Sequence, residues 1–193
     1  MAGYAYKPQR LLELVRIRIL SMIAAMVWAS ATREAGITSH LFAAAACGAA
    51  WARGRRASRL LPVLGVLELF LVLDAAFNWR WVVHGFLINA AVGQHLYGKR
   101  KLPQELVLEL LIGMMVAAVV LTLRYFRERP GACLSICGAL ISVAFWAIEV
   151  ISLHATDTIL QHTLGPIMLV ALVWIVSSSI IAVGILWDVN RRA

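Results

Sequence analysis

The sequence predicts an all-α fold, a polytopic transmembrane helical bundle of about six spans with one added interfacial helix. Three observations carry that prediction. Of 193 residues, 62% are hydrophobic and only 15% charged, against about 45–50% and about 25% in soluble domains. The apolar residues are gathered into long runs, as a helix crossing about 30 Å of hydrocarbon at 1.5 Å per residue requires. The basic residues are gathered between those runs, where they orient helices and meet anionic head groups. The gaps are short, so residues 1–193 form a single integral membrane domain.

The spans fall near 12–31, 37–52, 60–77, 105–123, 131–153 and 165–187. The fifth, with GACLSICGALISVAFWAIEVISL, and the sixth, with GPIMLVALVWIVSSSIIAVGILW, are the clearest. The second is the shortest, but its LFAAAACGAA is a small-residue surface that lets two membrane helices approach closely. Arg10, Arg16 and Arg18 before an apolar core, with Ala29-Ser30-Ala31 after it, resemble a signal peptide. The length of the basic region argues against cleavage. Between the third and fourth spans, residues 80–97 are too polar for a crossing and too long for a turn. A helix from Val82 to Leu96, carrying His84, Asn89, Gln94 and His95 with Trp79, Trp81 and Tyr97 near its ends, reads as interfacial. Pro103 suits the first turn of the helix that follows, and Glu105 and Glu109 its positive end.

Six spans with both termini cytoplasmic place thirteen Lys and Arg inside and five outside, the five being Arg33, Arg80, Lys99, Arg100 and Lys101. Letting Val82–Leu96 cross gives the poorer split of eleven against seven. In the six-span arrangement all five histidines fall on the outer side. His40 opens the second span, His84 and His95 lie in the interfacial segment, and His154 and His162 flank the last turn.

The candidate polar site follows from the cost of charge in lipid. Glu149 is inside the apolar thickness of the fifth span, so it needs a protein partner or a wet cavity. The outer half offers Asp74, His84, His95, His154 and Asp157 as companions. If the ISLHATDTILQH stretch is helical, His154, Asp157, Thr158 and Gln161 share a face. The bland alternative is that His154 and Asp157 only cap a polar turn. Glu68, near the middle of the third span, is the least explained acid. It is rotated by about 120° from Asp74 on an ideal helix, so the two do not form one pair, and a protonated interhelical hydrogen bond would account for it.

A metal ion would need converging ligands, with His84, His154 and Asp157 as candidates, and haem would need histidines on two helices. Neither cofactor is fixed by a motif. Walker A, G-x-S-x-G, G-x-G-x-x-G and Cys-x-x-Cys patterns are absent. Cys47, Cys133 and Cys137 show no disulfide or zinc spacing and read as small buried side chains. The net charge of +8 belongs to the membrane surface rather than to nucleic acid. The absence of an internal repeat weakens a transporter built from inverted halves.

FNWRWVVHGFL, YGKRKLPQ and IEVISLHATDTILQHTLGPIM, within residues 60–187, resemble segments of small uncharacterised bacterial polytopic inner-membrane proteins. The resemblance implies a bacterial inner membrane and no activity. The leading expectation is a non-enzymatic packing, assembly or accessory subunit, whose partners are membrane lipids and other membrane subunits or a second copy. A membrane enzyme or redox subunit using an outer His and carboxylate site is the first alternative. A small transporter or proton pathway using Glu68, Asp74 and Glu149 is the second.

Overall fold

The structure, a computed structural model, describes residues 8–53, 59–93, 101–151 and 158–191, with the backbone alone for residues 8–29 and 91. It is an all-α helical bundle. The helices are α1 (Pro8–Ala52), α2 (Leu60–Phe77), α3 (Trp79–Gly93), α4 (Lys101–Tyr125), α5 (Pro130–Ile151) and α6 (Leu169–Asn190). Among the described residues, five helices are long and apolar enough to cross a membrane: Ser30–Ala52 within α1, and α2, α4, α5 and α6 entire.

The expected spans 12–31 and 37–52 are parts of one continuous helix of 45 residues. The polar TREAGITSH stretch does not break it. Ser30 Oγ donates to Glu34 Oε1 one turn on, and Ser39 Oγ donates to the Gly36 carbonyl. Gly36 is a packing position, since a Cβ there would stand 2.6 Å from the Trp174 ring. The expectation that both termini share one side rested on a turn between those two spans, and α1 carries none. It also placed His40 at a span end, whereas His40 lies near the middle of Ser30–Ala52.

α1 and α2 form an antiparallel hairpin, with Ala43, Cys47 and Ala50 packed against Leu61 and Leu64. The small residues of LFAAAACGAA make that approach close, as Cys47 Cβ lies 3.4 Å from where a Cβ on Gly65 would be. α5 and α6 are closer still. A Cβ on Gly138 would be 2.8 Å from the Ser177 carbonyl oxygen and from Ile181 Cγ1. The same interface is tied by hydroxyls: Ser135 Oγ donates to the Ile181 and Gly131 carbonyls, and Ser142 Oγ to Ser177 Oγ at 2.8 Å. These bonds satisfy polar groups where lipid cannot. Among the described residues α4 packs mainly on α5, with Thr122 buried and Gln104 donating to the Ile151 carbonyl.

Two departures shape one end of the bundle. Asn78, in the left-handed conformation at φ 56°, ends α2 and turns the chain directly into α3. The sixth span does not begin at Gly165. There the chain makes a two-residue antiparallel hairpin, Thr163–Leu164 with Ile167–Met168, around Gly165 at φ +65°. Only Gly adopts that angle freely. The hairpin is tied to α1 by the Met168 N–H donating to Thr32 Oγ1.

Candidate functional site

The end of the bundle where α2 turns into α3 holds a charge cluster that the corner itself assembles. The Asn78 N–H donates to the Asp74 carbonyl at 2.7 Å, closing α2. Two residues later the Arg80 N–H donates to Asp74 Oδ1 at 2.8 Å, so a carboxylate caps the positive end of α3. The Arg80 side chain then turns back into the bundle. Its Nε stands 2.8 Å from Asp74 Oδ2, and its Nη1 donates to Glu149 Oε2 on α5. The guanidinium lies over the Trp174 ring, 4.5 Å from the centroid, and Arg80 is 4% exposed. A buried carboxylate needs a partner of this kind, since desolvation otherwise costs several kcal/mol per ion.

Arg80, Glu149 and Trp174 line a cavity of about 500 Å³, together with Trp81, Asn78, Ser30, Thr32, Arg33 and Gln161. The hairpin and the turn before it contribute Met168 and Leu160. The lining combines hydroxyl and amide groups, ionised groups and two indoles.

A second buried polar cluster sits deeper, where α1, α2 and α6 meet. His40 Nδ1 lies 2.8 Å from Glu68 Oε2 and 3.0 Å from Ser178 Oγ, which also donates to Glu68 Oε2 at 3.3 Å. Glu68 is fully buried, and its Oε1 has no hydrogen-bond partner among the described residues. Trp174 separates the two clusters, with its ring 6.3 Å from the His40 ring on one side and Arg80 on the other. Beyond His40 lies an apolar cluster of Ala43, Cys47, Ala50, Leu61, Leu64, Ala139, Ile181 and Ile185, with the Ser135 hydroxyl bonded beside it to the Ile181 carbonyl.

Of the site residues expected from sequence, Asp74 and Glu149 are brought together, through Arg80. His84 is not part of that contact. It is the neighbour of Trp81 and its Nδ1 donates to the Val150 carbonyl at 3.1 Å, joining α3 to α5. Glu68 is separate from Asp74 and engages His40 instead. His95, His154 and Asp157 lie outside the described residues. Among the described residues no three His, Cys, Asp or Glu side chains converge to hold a metal ion.

Arg80, His40, Ser178 and Trp174 were missed in the sequence. Arg80 counted only as an outer basic residue, yet an arginine six positions after Asp74, with Asn78 between them, was a usable signal. For His40 the signal was the antiparallel hairpin, which pairs Cys47 with Gly65 and so sets His40 beside Glu68. No protein-family model, curated protein or solved structure matches this chain.

Proposed function

We propose that the chain is an integral protein of a bacterial inner membrane that binds a small polar solute in the Arg80 cavity. The observation that carries this is the almost fully buried Arg80, held between Asp74 and Glu149 in the cavity wall. The volume is within the range of about 300–1,000 Å³ usual for small-molecule sites. Ionised groups beside two indoles suit a solute with a charged group and an apolar body. The cavity opens at the end of the bundle opposite Arg53, Arg59, Arg124, Arg127, Arg129 and Arg191.

Trp81 and Trp174 make the test direct. Titration of purified protein with cationic, anionic and zwitterionic solutes should change tryptophan fluorescence for one class and raise Tm with it. Glu149→Gln should keep the fold and weaken that response at least tenfold. Equal binding by the variant, or no response to any class, would end this reading.

An assembly role is the second reading, favoured by α4. Its apolar surface is covered over little of its length, and Glu109 is exposed about 12 Å along the helix from Lys101. A carboxylate at that depth is better accommodated by a protein neighbour than by lipid. Cross-linking from a cysteine at position 109 in native membranes should give a discrete higher-mass species, and monomer alone would count against assembly.

A further inference from the structure

The cavity leaves the deeper cluster unused, although it is the more unusual feature for a membrane interior. We propose that His40, Glu68 and Ser178 form a proton-binding site at the middle of the bundle, one proton being held between His40 Nδ1 and Glu68 Oε2 and a second taken up at Glu68 Oε1. The proposal does not depend on the cavity holding a solute.

The geometry supplies each part. Nδ1 and Oε2 are 2.8 Å apart, so a proton can pass from the carboxyl oxygen to the ring nitrogen, the O–H bond breaking as the N–H bond forms. Ser178 Oγ lies within hydrogen-bond distance of both atoms, and its hydroxyl donates to Oε2 when the proton is on the ring. Once the proton is on the ring, Glu68 is a carboxylate whose Oε2 accepts from two donors while Oε1, equally buried, accepts from none. A buried carboxylate oxygen without a donor is costly. A proton on Oε1 removes that cost and leaves imidazolium beside a neutral carboxyl, one positive charge more than before.

The surroundings favour exchange from one side. Toward the cavity Trp174 stands between His40 and Arg80, whereas the other direction leads into the apolar cluster. The groups that set the local field are few. On α1 the Cys47 thiol is within electrostatic reach of Glu68. On α2 Asp74, on α3 Arg80 and on α5 Glu149 are engaged with one another. α6 contributes the hydroxyls of Ser177 and Ser178, and Ser142 of α5 bonds to the former.

The test is infrared difference spectroscopy on lipid-reconstituted protein between about pH 4 and about pH 9, an interval bracketing ordinary carboxyl and imidazole titration. The acid-minus-base spectrum should contain a protonated-carboxyl C=O stretch that is lost in Glu68→Gln and shifted in Ser178→Ala. In ¹⁵N-histidine-labelled protein, the Nδ1 resonance that disappears in His40→Gln should be that of a protonated ring nitrogen at the acid end. A folded Glu68→Gln variant with the wild-type difference spectrum would overturn the proposal. So would a His40 Nδ1 without a proton at the acid end. If Glu68→Gln does not fold, an unshifted carboxyl band in Ser178→Ala overturns it equally.

Discussion

Asp74 holds Arg80 twice, accepting its backbone N–H at Oδ1 and meeting its guanidinium at Oδ2, each at 2.8 Å. One carboxylate therefore fixes both the start of α3 and the charge that reaches Glu149.

Charge balance then orders the variants. Arg80→Ala leaves two carboxylates facing each other in the bundle and should cost about 3–5 kcal/mol. Glu149→Gln leaves Arg80 paired one-to-one with Asp74 and should stay within about 1 kcal/mol of wild type. Reversible unfolding in mixed micelles measures both, and equal losses would contradict this accounting.

The cap can be separated from the ion pair at the same position. Asp74→Asn keeps an oxygen for the Arg80 N–H, whereas Asp74→Ala removes it. The alanine variant should be less stable than the asparagine variant by about 1 kcal/mol, the worth of a helix cap. The same unfolding measurement reads the difference, and identical midpoints would show that the cap contributes nothing.

Helix approach predicts a third result. Gly138→Ala drives a methyl into the Ser177 carbonyl of α6, which is backbone and cannot swing aside. α5 and α6 must separate, lengthening the Ser142–Ser177 bond, at a cost of about 1–3 kcal/mol. Gly113→Ala on α4, where a Cβ meets nothing within 4 Å, is the control and should not lower Tm.

Sidedness is the fourth. Single cysteines at positions 53, 127 and 191 should all react with a membrane-impermeant reagent from one common side. A split result would contradict this order of crossings.

The helical class and the bounds of α2 were legible, because apolar length and flanking charge are local properties of the chain. So was the need of Glu149 for a partner, since the cost of a carboxylate in lipid does not depend on the fold. Its partner was not legible. Arg80 reaches it only because Asn78 turns the chain by one left-handed residue, and nothing local distinguishes an arginine pointing inward from one at the surface. His84 was one of the expected companions, but its ring serves the Val150 carbonyl. Gly36 shows the converse: a residue that looks like a helix boundary in sequence lies within α1 and is glycine because an indole from α6 needs the space.

Trp174 is that indole, and it makes the two polar centres mechanically interdependent. A ring wedged against Gly36, with His40 near one side and Arg80 over the other, cannot shift for one without disturbing the other. Their energies should then fail to add. A double-mutant cycle between His40→Gln and Arg80→Lys should give an interaction of about 0.5 kcal/mol or more, and replacing Trp174 with leucine should abolish it, although no atom of His40 bonds to Arg80.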